Sequence, residues 1–295
     1  MARSKGGKRP RVVAIPGRNE AEGSGRGSPS DQRTDTPRGR AARRIGRRPA
    51  AGDGSETLFG LHAVAAALAN PARDLIHLTA TEAALEQLGK TVDACGLQPE
   101  VRTTHDLTKL LGNDTVHQGV ALKARTLQQP ALGDLAHLHA DRHGADGGPP
   151  RVLVLDQVTD PHNVGAIIRS AAAFGAAGVV TTRRNTAPLG GVTAKAASGG
   201  VEHVPVVQVG NLAQALRDLA RDGYRVVGLD GEGEHALSDI RKDDALALVL
   251  GAEGPGMRRL TRETCDFMCR LPVRGGITSL NVSNAAAVAL ALTQA

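Results

Sequence analysis

The chain has 295 residues, a length that allows two folded units and a tail. Its three cysteines, Cys95, Cys265 and Cys269, offer neither an even disulfide framework nor the paired short spacings of a structural zinc site. We therefore expect a reducing, cytoplasmic location. No run approaches the roughly 20 apolar residues that span a bilayer, and the arginine-rich start lacks the apolar segment of a secretory signal, so a membrane association is disfavoured.

Positive charge is concentrated at the start of the chain. Residues 1–50 hold 14 of the 36 Lys and Arg but only 4 of the 30 Asp and Glu, a net charge of +10, whereas the other 245 residues carry −4. This segment also has too few apolar residues to offset the conformational entropy lost on folding, so residues 1–55 are predicted to form a disordered basic tail. This tail is either a polyanion-binding arm or a solubilising extension.

Residues 56–126 have the pattern of a small α/β unit. After Leu58, the segment Gly60-Leu61-His62 leads into an alanine-rich helix. Apolar runs predict strands at 75–78, near Val101 and at 120–122, and helical periodicity predicts helices at about 82–94 and 106–111.

The stretch 127–149 is rich in Gly, Pro and histidine. Three histidines lie among aspartates, which is a pattern that a metal site can also show. Their uneven spacing is more typical of a tether, so we expect a linker here and no metal. The residues concerned are His137, His139, His143, Asp134, Asp141 and Asp146.

The segment 150–295 predicts a mostly parallel sheet with flanking helices. It opens with a continuous apolar run at 151–156, typical of a strand covered on both faces. Similar runs recur at 178–181, 204–209, 224–229, 246–250 and 267–271, with helical patterns between most of them. In such sheets ligands bind beyond the carboxyl ends of the strands.

Three polar, glycine-rich islands lie between these apolar strands: 160–169 (DPHNVGAIIR), 251–256 (GAEGPG) and 279–283 (SLNVS). Each has a simple structural explanation when taken alone. Asp160 or Asn163 can cap a helix that runs to about Phe174, and an arginine such as Arg169 is more often an ion-pair partner than a catalytic group. Together the islands predict one composite site.

The second and third islands have equally plain alternatives. Gly251, Gly254 and Gly256 let the backbone approach a ligand, and Glu253 supplies a carboxylate, but the spacing matches neither the dinucleotide glycine pattern nor a Walker motif. Ser279, Asn281 and Ser283 precede an alanine-rich helix, so one or two of them are expected to be helix caps.

In this order, the three islands resemble the signature motifs of the SpoU, or TrmH, family of RNA ribose 2′-O-methyltransferases in the SPOUT class. The resemblance covers about residue 151 to the C-terminus. Upstream, 59–64 (FGLHAV) and 117–119 (HQG) resemble the small RNA-binding domain, related to certain ribosomal proteins, of the branch that methylates guanosine in ribosomal RNA. Only the first 55 residues or so lie outside the resemblance.

The resemblance implies an α/β domain whose parallel sheet ends in a deep trefoil knot, an exception to the rule that chains avoid knots. It also implies that S-adenosylmethionine binds in this knot and that the protein is a homodimer paired through the knot region. Family members often have Met where this chain has Val273. The cofactor-binding residues implied are Leu250, Gly251, Glu253, Gly254, Leu271, Pro272, Val273, Ser279, Leu280 and Asn281.

The family assigns catalysis to Arg169, with Asn163 close by, and the resemblance gives Glu253, Ser279 and Asn281 the task of orienting Arg169 and the ribose. A guanidinium stays charged in proteins, so Arg169 is expected to hold phosphate and stabilise the developing alkoxide rather than act as a base. His162 is a chemically possible proton acceptor, but its place in the motif favours a structural or substrate-contact role.

The expected substrate is RNA, and most directly a guanosine of 23S ribosomal RNA. With one Tyr, three Phe and no Trp, stacking on aromatic side chains cannot dominate RNA binding. Candidate phosphate contacts are Arg183, Arg184, Lys195 and Arg274, although lone surface cations are usually just solvated. The alternatives are a family enzyme acting on transfer RNA or on an antibiotic-resistance site of the ribosome, and a non-catalytic RNA-binding protein.

Overall fold

The computed structural model describes residues 54–144, 147–276 and 279–294. The predicted basic tail therefore lies outside the described residues up to position 53. Ser55, its last residue, is already the first residue of a strand.

Residues 55–125 form a four-stranded sheet with helices against it. The strand order is β1-β4-β2-β3; β4 pairs antiparallel with β1 and β2, and β2 pairs parallel with β3. The elements are β1 (Ser55–Phe59), α1 (Leu61–Ala69), β2 (Leu75–Ala80), α2 (Glu82–Leu88), α3 (Lys90–Ala94), β3 (Glu100–Val101), α4 (Thr104–Leu111) and β4 (Val120–Arg125).

Two predicted helices in this sheet unit have different bounds in the structure. The helix predicted over 82–94 is broken, because Gly89 has a φ of 51°, outside the helical region. The helix expected from Asp106 begins two residues earlier, since Thr103 is its N-cap and forms a capping box with Asp106. Strand β1 was not predicted.

The stretch expected to be only a tether contains a helix, α5 (Leu135–His143). Leu135 is fully buried and His139 is 5% exposed, because this helix packs on the second sheet beside Val152 and Val154. The burial of this helix depends on the sheet beneath it, and the Gly and Pro residues around it are those of a tether, so the sequence pattern alone did not predict it.

The second sheet has seven strands in the order β7-β6-β5-β10-β8-β11-β9, and every neighbouring pair is parallel. This confirms the predicted parallel α/β sheet; the short β9 was not predicted. The strands are β5 (Arg151–Asp156), β6 (Gly178–Thr182), β7 (Val206–Val209), β8 (Arg225–Leu229), β9 (His235–Ala236), β10 (Leu246–Gly251) and β11 (Phe267–Arg270).

Helices cover both faces of this sheet. Alternate residues of β5 point to opposite sides: Leu153 and Leu155 join the core under α6 and α10, whereas Val152 and Val154 join the core under α5 and α8. Burial on both faces explains why β5 and β10 read as unbroken apolar runs. The helices are α6 (Pro161–Ala173), α7 (Gly191–Ala196), α8 (Leu212–Arg221), α9 (Arg259–Glu263) and α10 (Val282–Thr293).

Local chemistry fixes where α6 and α10 begin. The Asp160 side chain caps α6 by accepting from the backbone N–H of His162, and Pro161 occupies the first turn, where its missing N–H costs nothing. Asn281 caps α10 in the same way, through the N–H of Ser283. The two sheets belong to one compact unit, and no helix in the described part of the chain is long and apolar enough to cross a membrane.

Candidate functional site

A cleft of about 360 Å³ opens at the carboxyl ends of β8, β10 and β11; we call it the β10 cleft. The loops that follow these three strands and the start of α10 form its walls. This is the edge at which parallel α/β sheets bind ligands. Its lining residues are Leu229, Asp230, Gly231, Leu250, Gly251, Ala252, Glu253, Gly254, Pro255, Gly256, Met257, Leu271, Val273, Ser279, Leu280, Val282 and Ala285.

The β10 cleft brings together most of the residues that the family resemblance assigns to the cofactor. Pro272 and Asn281 are the two that do not line it. Those that do are Leu250, Gly251, Glu253, Gly254, Leu271, Val273, Ser279 and Leu280. Residues from the second and third islands, about 30 positions apart in the chain, thus face one cavity.

The loop after β10 is closed on itself. Ala252 and Gly256 exchange two backbone hydrogen bonds, with N···O distances of 3.2 and 3.0 Å. A Cβ atom at Gly251 would lie 2.3 Å from the carbonyl carbon of Gly256, so only glycine permits this closure. The cleft therefore presents a bare backbone wall, which a ligand can approach closely.

Asn163, Glu253 and Asn281, one from each island, form a hydrogen-bonded triad beside the cleft. The Asn281 amide Nδ2 donates to Asn163 Oδ1 at 3.0 Å and to Glu253 Oε1 at 2.5 Å. The same Glu253 oxygen accepts the backbone N–H of Val282 at 3.2 Å. Asn281 Oδ1 accepts from the N–H and hydroxyl of Ser283, at 2.9 and 2.6 Å.

This network leaves specific atoms for a ligand. An amide has two N–H donors, so the two hydrogen bonds of Asn281 Nδ2 use both of them. Within the described residues, Asn163 Nδ2 donates to no protein group and Glu253 Oε2 accepts from none. One free donor pair and one free carboxylate oxygen are therefore held side by side.

Two further carboxylates brace the loops that wall the cleft. Asp156, fully buried at the end of β5, accepts from the backbone N–H of Arg258 at 2.9 Å and from its Nε at 2.7 Å. Asp230 accepts the N–H of Glu232 and pairs with Arg262, and these hydrogen bonds lower the pKa of Asp230 below its ordinary value. Asp230 itself lines the cleft.

Arg169 is exposed and makes no hydrogen bond with this triad. It forms no hydrogen bond or ion pair with any described residue. Arg169 and Asn163 are six positions apart on α6, which points their side chains about 120° apart around the helix and separates their Cα atoms by about 9 Å along its axis. Within a single chain, Arg169 is therefore not hydrogen-bonded to the residues with which the resemblance groups it.

Three of the four candidate RNA-contacting residues follow strands at the sheet edge that carries the cleft. Arg183 and Arg184 follow β6, two strands from β10, which corresponds to about 10 Å. Arg274 is exposed in the loop after β11, near the cleft residue Val273. The stem of Lys195 packs against Gly60 of the four-stranded sheet unit, where a Cβ would lie 2.9 Å from its Cγ.

Other chemistries find little support in the described residues. Burial raises the pKa of the Cys265 thiol to about 12 and also raises that of Cys269, so neither is poised as a nucleophile. No group of three or more His, Cys, Asp or Glu side chains in the described ranges could hold a metal ion. His139 and His143, from the histidine-rich stretch, instead lie ring to ring at 4.8 Å.

Sequence reasoning missed several residues of the site. Leu229 ends β8, and Asp230 and Gly231 follow it, so the rule that ligands bind at strand carboxyl ends would have found them. No local signal joins Asp156 to Arg258, because 102 positions separate them.

Comparison with known proteins places both parts of the chain. Residues 150–291 match the profile described as "SpoU rRNA Methylase family", and residues 57–130 match "RNA 2'-O ribose methyltransferase substrate binding". The chain is 40% identical over 240 residues to the 23S rRNA (guanosine-2'-O-)-methyltransferase RlmB of Yersinia pestis, covering 80% of this chain and 95% of that one. For RlmB of Ralstonia nicotianae the identity is 41%, covering 80% and 94%.

Solved structures share the fold. The SpoU methyltransferase AviRb from Streptomyces viridochromogenes, in complex with AdoMet, superposes with a TM-score of 0.64 at 23% identity, over 81% of this chain and 89% of that one.

Proposed function

Because the chain belongs to the SpoU rRNA methylase family, we propose that it transfers a methyl group from S-adenosylmethionine to a ribose 2′-hydroxyl of RNA, most directly a guanosine of 23S ribosomal RNA. The observation that carries this proposal is the triad of Asn163, Glu253 and Asn281, which joins three distant motifs beside one cleft. The full-length relatives act on the same class of substrate, by their names.

The β10 cleft fits such a cofactor. Its volume of about 360 Å³ lies within the range of roughly 300–1,000 Å³ typical of small-ligand sites. Apolar side chains such as Leu250 and Leu271 suit an adenine ring, and the bare backbone at Gly251 and Gly254 can contact its polar edge. When bound, S-adenosylmethionine supplies an electrophilic methyl group.

The residues of this chain then orient the acceptor and exclude water. Glu253 Oε2 can accept a hydrogen bond from a ribose hydroxyl, and Asn163 Nδ2 can donate to a neighbouring ribose or phosphate oxygen. Asn281 fixes both side chains through its amide. Ser279, on the cleft wall, is a third polar contact. Holding the hydroxyl in line with the methyl group supplies most of the acceleration.

Arg169 is proposed to reach the reacting oxygen from the partner of a homodimer. The support is its exposure, its lack of any protein partner within the described residues, and its distance from Asn163 along α6. Apolar surface near the cleft is available for pairing: Val273, Leu280 and Val288 are 40, 39 and 37% exposed. In the partner's site, the guanidinium of Arg169 would hold a phosphate and stabilise the developing alkoxide.

We also propose that the chain after β11 passes through a trefoil knot. The support is the path of the chain after β11, which lies two strands from β10 in the sheet. Leu271 and Val273 follow β11, and Ser279 and Leu280, further along the chain, line the same cleft as the loop that follows β10.

The four-stranded sheet unit, about residues 56–126, is proposed to select the RNA, and residues 127–149 to connect it to the methyltransferase unit of residues 150–295. The match of residues 57–130 to a substrate-binding profile supports this role. Arg183, Arg184, Lys195 and Arg274 are proposed phosphate contacts. The first two and Arg274 lie in loops at the sheet edge that carries the cleft, and Lys195 lies beside the four-stranded sheet unit. A ribosomal RNA substrate also favours a cytoplasmic location.

The test is methyl transfer from labelled S-adenosylmethionine to 23S ribosomal RNA from a strain that lacks the enzyme. We expect one 2′-O-methylguanosine to appear, and mapping it by primer extension separates this substrate from transfer RNA. Cofactor binding without any transfer would instead favour a non-catalytic RNA-binding protein.

A further inference from the structure

A buried ion cluster joins the two sheet units, and none of its residues lines the β10 cleft. Arg73, in the loop after α1, is 6% exposed and donates from Nη1 to Glu56 Oε1 at 2.8 Å. Toward Glu202, in the other sheet unit, it donates from Nη2 at 2.5 Å and from Nε at 3.2 Å. We call this arrangement of Arg73, Glu56 and Glu202 the Arg73 fork.

Two further groups form hydrogen bonds with the fork. Arg73 Nη1 donates to the carbonyl of Arg125, at the end of β4, at 2.9 Å. Glu202 Oε2 accepts from Asn70 Nδ2 at 2.7 Å. The side chains of Arg73 and Glu202 are 2% and 1% exposed, and that of Glu56 is 17% exposed. Two hydrogen bonds between one guanidinium and one carboxylate fix direction as well as distance.

The segment that carries Glu202 packs directly against the turn of α6 that carries Arg169. Glu202 ends the short 3-10 turn Gly200–Glu202. A Cβ at Gly200 would lie 3.2 Å from the Cα of Arg169 and 3.1 Å from the carbonyl oxygen of Ile168. The backbone of Gly200 therefore rests on the turn of α6 that presents Arg169.

The same segment lies against the four-stranded sheet unit along its length. A Cβ at Gly191 would meet the carbonyl oxygen of Thr57 at 2.6 Å, and one at Gly199 would meet the Cβ of Ala66, on α1, at 2.6 Å. Residues 191–202 are thus held between the unit matched to substrate binding and the helix of Arg169.

A buried ion pair contributes little net stability compared with apolar side chains of the same size, because desolvation offsets the attraction. What such a pair can supply is a single register between two surfaces. We propose that the Arg73 fork is a positioning device that sets the register between the substrate-binding unit and Arg169. RNA bound to the substrate-binding unit then presents its target ribose to Arg169. This proposal rests on the proposed function.

The test compares Glu202→Gln and Arg73→Lys with wild type in full-length protein. Gln keeps the shape of the carboxylate without its charge, and Lys keeps the charge without the two-pronged geometry. For both, we expect kcat on 23S ribosomal RNA to fall by about 10- to 100-fold, as for a misplacement of about 1 Å. KM for the RNA and the cofactor affinity measured by calorimetry should stay within about twofold, because their binding surfaces are intact.

The matched control is Asp218→Asn. Asp218 also accepts from an arginine, Arg221, but both are exposed and lie within α8, outside the substrate-binding unit and the β10 cleft. We expect its kcat to equal that of wild type. Hydrogen exchange should quicken in residues 191–202 of the two fork variants and remain unchanged in the control and in β10.

Each result bears on the proposal. Faster exchange with unchanged kcat, or cofactor affinity that falls in step with kcat, would show a purely structural role and overturn it. If wild type transfers no methyl group at all, the proposed function fails instead, and unchanged exchange in the fork variants would then also refute the fork as a link between the two units.

Discussion

The family resemblance groups the motifs of the β10 cleft and of the surface around Arg169 into one site, but these two regions of the molecule are built differently. In the cleft, Glu253 and Asn281 are tied by hydrogen bonds within one chain. On α6, Arg169 is exposed and has no protein partner among the described residues. The hydrogen-bonded wall of the β10 cleft is therefore complete within a single chain, whereas Arg169 has no partner among that chain's described residues. In the proposed function, a second molecule, either the RNA or another copy of the chain, supplies that partner.

The sharpest way to break this contrast is Arg169→Ala. If Arg169 acts only on the reacting oxygen and its phosphate, removing it should lower kcat by about 10²–10³-fold, the typical loss for one preorganised donor. Cofactor affinity should stay within about twofold, because Arg169 does not line the cleft. Single-turnover transfer and calorimetry measure the two effects. Equal loss of both would make Arg169 a pocket residue.

A mixed dimer of two variants tests whether Arg169 acts in the site of its own chain or in that of its partner. We would co-express Arg169→Ala and Glu253→Ala chains with different tags and purify the mixed dimer. If each site combines Arg169 of one chain with Glu253 of its partner, one of the two sites has both residues and about half of the wild-type activity should return. If each site lies within one chain, both sites are damaged and the mixed dimer should be as inactive as the two variants.

Asn281→Ala tests the other side of the contrast. It removes the amide that holds Glu253 and Asn163, and we expect cofactor affinity to fall by about tenfold, which corresponds to about 1.4 kcal/mol. It also removes the N-cap of α10, at a cost of about 1 kcal/mol of stability.

Asn281→Ser separates these two effects. Serine caps helices about as well as asparagine, but its hydroxyl cannot donate to two acceptors at once. This variant should keep its thermal stability and still lose cofactor affinity. Affinity that follows stability in both variants would mean that Asn281 is only a cap.

The sequence could predict the cleft far better than the assembly around it. Apolar runs predicted most strands of the second sheet, and a parallel sheet brings the carboxyl ends of its strands to one edge, so the islands that follow β5 and β10 had to meet there. The caps at Asp160 and Asn281 were likewise readable, because capping depends on residues two or three positions apart.

What could not be predicted depends on contacts between distant residues. Nothing local in the sequence pairs Arg73 with Glu202, 129 positions away, or Asp156 with Arg258. Helix α5 was missed because its burial depends on the sheet beneath it rather than on a strong pattern of its own. The break at Gly89 shows the reverse case, in which one glycine ends a helix that periodicity would continue.

The smallest expected effect concerns Asp230, the carboxylate at the cleft wall. The N–H of Glu232 and the guanidinium of Arg262 lower its pKa, so the stabilisation is present above the pKa of the unfolded chain and is lost as pH falls through the lower, folded value. The side chain is 25% exposed, so the gain is only about 0.2–1 kcal/mol. Urea unfolding of Asp230→Asn should show this deficit at pH 7 and none well below about pH 4, the ordinary pKa of an aspartate. A deficit that persists in acid would mean that Asp230 supports the loop by shape rather than by charge.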